Sequence, residues 1–275
     1  MALLGALVVP HPPLIVPEVG RGGEKAVQKT TAAYRAVAQA AARLQPETVI
    51  VVSPHAPCYR DYIQISPGAS ARGDFAAFGA ARVAVEAEYD EDFAAALAAA
   101  AQAMDLPAGI EGESGSGLDH GTLIPLYFLN MFYRDYRLVR IGISALPAAV
   151  HYELGGLVRA VAKKMDRRTL FVASGDLSHR LLASGPYGFH PSGPLFDAWV
   201  TESIRTGNLE NFLKPEEKMC DEAGECGLRS LQVLTGALAG LPFTPRLLSY
   251  EGPFGVGYAV AAFFPGHMEV KSIDE

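Results

Sequence analysis

Thr48-Val49-Ile50-Val51-Val52 is an unbroken β-branched run that stops at Ser53-Pro54-His55. Because the run is continuous rather than alternating, it reads as a strand buried on both faces, the habit of a parallel sheet covered by helices. Upstream, Leu3-Leu4-Gly5-Ala6-Leu7-Val8-Val9 ends at Pro10, and residues 24–44 carry Ala, Val, Tyr and Leu at helical spacing without proline or interior glycine. Strand, helix and strand make one βαβ unit. Residues 138–143, a helix near 150–165 and residues 169–173 repeat it. Residues 90–104, 122–133, 196–205 and 228–238 read as further helices, and 57–82, rich in Gly, Ser, Pro and Ala, as a long excursion with one strand near 62–65. Residues 245–250 and 256–264 predict an antiparallel hairpin that closes one edge. The expected fold is α/β: a single domain over residues 1–275 with a central, mostly parallel sheet, an antiparallel edge hairpin and helices on both faces.

Composition narrows the class. Forty-nine per cent hydrophobic residues against 19% charged describe a chain with a large core and no disordered tract. Twenty-three Lys and Arg against 30 Asp and Glu give a net charge of −7 with no basic cluster, so no nucleic-acid partner is expected. Cys58, Cys220 and Cys226 are too few and odd in number for a disulfide scaffold, which leaves free thiols or metal ligands. The apolar start, residues 2–10, has no leading Lys or Arg and no cleavage site, and no stretch reaches the roughly 20 apolar residues of a membrane span. A cytoplasmic protein is expected.

Three of the seven histidines follow predicted strands: His11, His55 and His179. All carboxyl ends of a parallel sheet lie on one edge, where open α/β folds bind ligands, so three imidazoles should share a cleft. A lone histidine at a strand end is ordinarily a surface or hydrogen-bonded residue; the coincidence of three is what points to a site. Pro10 and Pro12 around His11, and Pro54 before His55, stop the strands and stiffen the chain there. Two histidines at adjacent strand ends plus one anion make a facial metal site with open positions, suited to Fe(II) and acceptable to zinc. The anion is sought in Cys220-Asp221-Glu222-Ala223-Gly224-Glu225-Cys226-Gly227, just before a helix whose N-terminus would present Cys226 or Glu225 already ionised. The plainer readings are a buried small Cys226 and a helix-start Glu225; a Cys220–Cys226 redox pair ranks lower. Asp119 and His120 sit where a glycine-rich loop turns into a helix, with Asp119 placed to cap it. His190 is a cleft or loop residue, and His151 and His267 read as structural or exposed. The loop at 113–117 lacks the strand, lysine and spacing of a phosphate loop, so no nucleotide site is expected.

Pro10-His11-Pro12-Pro13, Ser53-Pro54-His55, Leu118-Asp119-His120-Gly121, Ser174-Gly175-Asp176-Leu177-Ser178-His179 and Gly255-Val256-Gly257-Tyr258-Ala259, in this order, resemble the class III extradiol ring-cleavage dioxygenases of the catalytic B-subunit type and the related Memo-like proteins. The resemblance spans roughly residues 3–265. It implies that His11 and His55 bind iron, that His179 is an acid/base near dioxygen, and that His120 lines the substrate site and polarises a phenolic oxygen. Ring-cleaving members have a glutamate as third ligand, whereas Memo-like proteins have a cysteine followed by glycine; the matching position here is Cys226, with Glu225 as the alternative.

Two functions follow as expectations. The first is a non-haem Fe(II) extradiol dioxygenase, an oxidoreductase taking a small catechol-like aromatic and O₂, its cleft completed by Tyr59, Asp119 and His190. The second is a Memo-like metal-binding protein with a partner-binding or redox role and no ring cleavage, for which zinc or copper would serve. Metal-assisted hydrolysis is a weaker third. A homo-oligomer is expected by resemblance.

Overall fold

The structure, a computed structural model, describes residues 2–115, 117–266 and 270. In chain order the elements are β1 (Leu3–Val9), α1 (Pro17–Gly20), α2 (Gln28–Arg43), β2 (Thr48–Val52), β3 (Ile63–Gln64), β4 (Ser70–Phe75), β5 (Ala80–Glu88), α3 (Glu91–Ala103), β6 (Ala108–Gly109), α4 (His120–Leu129), β7 (Arg137–Ile141), α5 (Ala148–Lys164), β8 (Thr169–Ser174), α6 (Ser192–Thr206), α7 (Glu217–Ala223), α8 (Leu228–Leu238), β9 (Phe243–Glu251) and β10 (Tyr258–Pro265). Six strands form the main sheet in the order β7-β2-β8-β1-β10-β9. The first four are parallel; β10 runs antiparallel to β1, and β9 to β10. The α/β architecture read from the sequence is the one observed.

Every residue of β2 and β8 is buried, as a continuous β-branched run requires. Successive side chains enter opposite cores: Ile50, Val52, Phe171 and Ala173 pack with residues of α3, α5, α6 and α8, whereas Val49, Val51, Leu170 and Val172 pack with those of α2, α4 and the β4–β5 hairpin. Each of the Val, Leu, Ile and Phe side chains among them contributes about 1.5–3 kcal/mol on full burial. On one face α5 and α8 approach closely because Gly155 and Gly236 carry no Cβ; a methyl group at either would strike the carbonyl of Val233 or Tyr152.

Two expectations are corrected. β1 and β2 are not neighbours: β8 lies between them, and β2 lies between β7 and β8, so the two crossover units interleave. An apolar run records that a strand is buried on both faces, not which strand lies beside it. The excursion at 57–82 also holds more structure than one short strand, since β4 and β5 pair as an outer hairpin. Their faces alternate between exposed and buried, and Arg72, Asp74, Glu86 and Glu88 dilute the apolar signal. The short helix α7 was not anticipated either. His267, and Ser116 of the 113–117 loop, lie outside the described residues. Among the described residues no helix is long and apolar enough to cross a membrane.

Candidate metal centre

The carboxyl edge of the sheet gathers the histidines. β1 delivers His11 and β2 delivers His55, and although β8 separates the two strands, the rings meet over its end with Nε2 atoms 3.0 Å apart. This reach is possible because β8 stops at Ser174 and continues as Gly175. A Cβ on Gly175 would strike Gly227 Cα, so bare backbone lets the start of α8 come down onto the strand end. That approach carries in Cys226, whose Sγ lies 3.6 Å from His11 Nε2. The ligand atoms of His11, His55 and Cys226 all fall within 4.8 Å of one another.

The donor set fits a metal ion. Two imidazole nitrogens about 3 Å apart have the spacing expected when both bind one ion at roughly 2.1 Å, and a nearby sulfur completes a face. Burial pushes His11 well below the ordinary imidazole value, with His55, His120 and His179 adding to the effect, so His11 is neutral and able to donate a lone pair. Burial likewise lowers His55, partly offset by Asp119. Cys226 departs from expectation: rather than being ionised by the helix start, its thiol is pushed up by burial and by the nearby Asp176 and Glu225, against one favourable contact from the Asp176 amide at 3.3 Å. Desolvation outweighs the helix terminus here.

Glu225 takes a different place. Its Oε2 accepts from Leu228 N at 2.7 Å, capping α8, and burial raises its carboxyl to about 7. Of the two alternatives for the third ligand, only Cys226 stands with the histidines.

His120 opens α4 and its ring lies 4.1 Å from that of His55 and 5.5 Å from that of Phe78. Burial, then His55, depresses it to about 4. Asp119 caps the helix as read from the sequence, accepting from Thr122 N and Oγ1, and also takes Ser53 Oγ at 2.5 Å, with Arg140 Nη1 at 3.6 Å. Both carboxylate oxygens are thus engaged, and the Asp119 charge opposes part of the lowering of both His55 and His120. His179 packs its ring 5.2 Å from that of the exposed Tyr187, and its buried Nε2 is without a hydrogen-bond partner among the described residues. Burial and His55 hold it below its usual value.

The remaining residues make contacts of their own. His190 Nδ1 accepts from Ser192 N and faces Glu222 at 3.8 Å. Tyr59 Oη accepts from Glu113 N at 2.7 Å, tethering that loop. His151 is structural, buried against Ser144 N and the Pro147 carbonyl. Sequence reasoning missed three contributors: Asp176, which accepts from His11 N at 2.8 Å; Ser174, 2.9 Å from His11 Nδ1; and Arg140, buried behind Asp119. Asp176 and Ser174 were findable by the strand-end argument that singled out His179; Arg140, inside β7, gave no such signal. A groove of about 1390 Å³ lies between β5 and the start of β7 and carries Arg82, Arg134 and Arg137.

Comparison with known proteins identifies the family. Residues 5–261 match the model of the catalytic LigB subunit of aromatic ring-opening dioxygenase. The chain belongs to the LigB family. It is 38% identical over 267 residues to protein CA_C1420 of Clostridium acetobutylicum, covering 94% of this chain and 57% of that protein, so it spans a little over half the length of this relative. It shares a fold with the uncharacterized protein JW3007 of Escherichia coli K12, with a TM-score of 0.57, 19% identity, and coverage of 94% of this chain and 99% of the other. Membership in the LigB family gives the chain a dioxygenase-like fold, with the His/His/Cys group at the carboxyl edge of its parallel strands.

Proposed function

We propose that this LigB-family chain is a non-haem Fe(II)-dependent extradiol dioxygenase acting on a catechol-like aromatic. The observation that supports the reading most is the convergence of the His11, His55 and Cys226 ligand atoms within 4.8 Å, with His120 and His179 beside them. His11, His55 and Cys226 would hold the ion. When bound, Fe(II) supplies open positions at which a catecholate and O₂ are oriented and electronically linked. The other side chains do the rest. His120, fixed by the Asp119 cap, donates a hydrogen bond to a phenolic oxygen. His179 takes a proton from the second hydroxyl at its free Nε2 and returns it later. Phe78 against His120 and Tyr187 against His179 place aromatic rings beside the two imidazoles, where a planar aromatic substrate would pack.

A second reading draws support from Cys226 itself. A thiolate makes a softer, more readily oxidised site that also suits copper or zinc, as in a Memo-like protein with a redox or partner-binding role and no ring cleavage. The test is anaerobic Fe(II) reconstitution followed by O₂ uptake across a catechol panel. Uptake with a yellow ring-opened product, lost in His11→Ala, is the expected result. Tight metal binding without uptake on any catechol favours the second reading. A homo-oligomer belongs to both, and light scattering on the eluted protein reads it.

A further inference from the structure

The helix α4 contains Pro125. Proline has no amide hydrogen, so the Gly121 carbonyl one turn earlier lacks its usual helical donor. Ser174 Oγ fills the gap, donating to Gly121 O at 2.6 Å. Ser174 is fully buried at the end of β8, and its hydroxyl carries one hydrogen. A carbonyl can only accept, so that hydrogen is committed to Gly121. The 2.9 Å contact between Ser174 Oγ and His11 Nδ1 must then run the other way, with Nδ1–H as donor. A neutral imidazole has one N–H, which leaves His11 Nε2 with its lone pair.

We infer that Pro125 and Ser174 are positioning residues that lock His11 in its Nδ1–H tautomer, so that Nε2 faces His55 and Cys226 as an electron-pair donor. With an ordinary residue at 125, its amide would compete with Ser174 for the Gly121 carbonyl, and a Ser174 hydroxyl that turned away would donate to Nδ1. His11 would then carry its proton on Nε2, pointing into the site and opposing ligation. The lock also gives the 3.0 Å Nε2 to Nε2 contact one sense in the metal-free protein: His55 donates and His11 accepts. The usefulness of this arrangement rests on the metal-centre reading; the proton arrangement itself does not.

The test is a long-range ¹H–¹⁵N correlation spectrum of the metal-free protein labelled at histidine nitrogens, with His11 assigned by its loss in His11→Asn. The wild-type spectrum should show His11 with a pyrrole-like Nδ1 and a pyridine-like Nε2. Ser174→Ala should shift the signal toward the Nε2–H form and weaken Co²⁺ binding by about 10–100-fold, the usual size of an outer-shell effect. Pro125→Ala keeps Ser174 and restores a helical amide, so it should move both readouts in the same direction by a smaller amount, and it serves if Ser174→Ala fails to fold. Wild-type His11 protonated at Nε2, or folded variants with an unchanged tautomer, would overturn the inference. The expected tautomer in a wild-type protein that binds no Co²⁺ would uphold the lock and remove the metal-centre reading.

Discussion

His179 offers a buried Nε2 with no hydrogen-bond partner among the described residues, so its replacement by glutamine keeps a polar group of similar size while removing the capacity to cycle a proton. His179→Gln should lower O₂ uptake by about 10²–10⁴-fold, the range of general acid–base catalysis, at wild-type iron content. Uptake at the wild-type rate would remove its acid/base role. Asp197 concerns stability instead. It is fully buried in α6, accepting from Ser178 N at 2.7 Å and Tyr250 Oη at 2.6 Å, yet burial still raises its carboxyl to about 6. A carboxyl raised on folding keeps its proton where the unfolded chain has lost it, so folding takes up a proton between about pH 4 and 6 and stability falls as pH rises through that window. The stake is about 3 kcal/mol. Asp197→Asn should flatten this slope in urea unfolding at pH 4 and pH 7; the same slope in both proteins would assign it to other groups. At this scale the sequence showed the histidines because strand ends followed by proline or glycine are conspicuous. It hid Arg140, an ordinary residue type inside β7 whose role exists only across space.

Among the elements, α4 bears most directly on the cleft, since its first residue is His120 and its cap is Asp119. Asp119→Ala removes the acceptor of Thr122 and Ser53 and the carboxylate facing Arg140, which still donates to Ser66 Oγ and the Gly117 carbonyl. A loss of about 0.5–2 kcal/mol is expected, the usual cost of removing a helix cap, read by urea denaturation. A loss of about 3–5 kcal/mol would mean instead that the buried guanidinium depends on the carboxylate. The α5–α8 crossing gives a steric counterpart: Gly236→Val should destabilise by about 1–3 kcal/mol or more through overpacking against Tyr152. Elements with unbroken apolar runs, such as β2 and β8, were legible because burial on both faces leaves no room for polar residues. The β4–β5 hairpin was not, because a half-exposed ribbon spends alternate positions on solvent.

For the molecule as a whole, a metal that binds only the folded chain adds stability by mass action, about 2.7 kcal/mol at 100 times Kd. In a chain of this size that amounts to roughly 5–10 °C in Tm. Fe(II) or Zn²⁺ should raise the wild-type midpoint by this amount and leave His11→Ala unmoved; equal shifts in both would place the ion elsewhere. The interleaved strand order has a further consequence for how the protein is made. β1, β2 and β7 leave the ribosome first, but the slot between β1 and β2 stays open until β8 emerges, and Cys226 follows later still. A nascent chain therefore holds His11 and His55 on strands that cannot yet be bridged. The three-donor cluster cannot assemble before α8 has been made, so an ion that needs all three donors would meet them only after the sheet around them is in place.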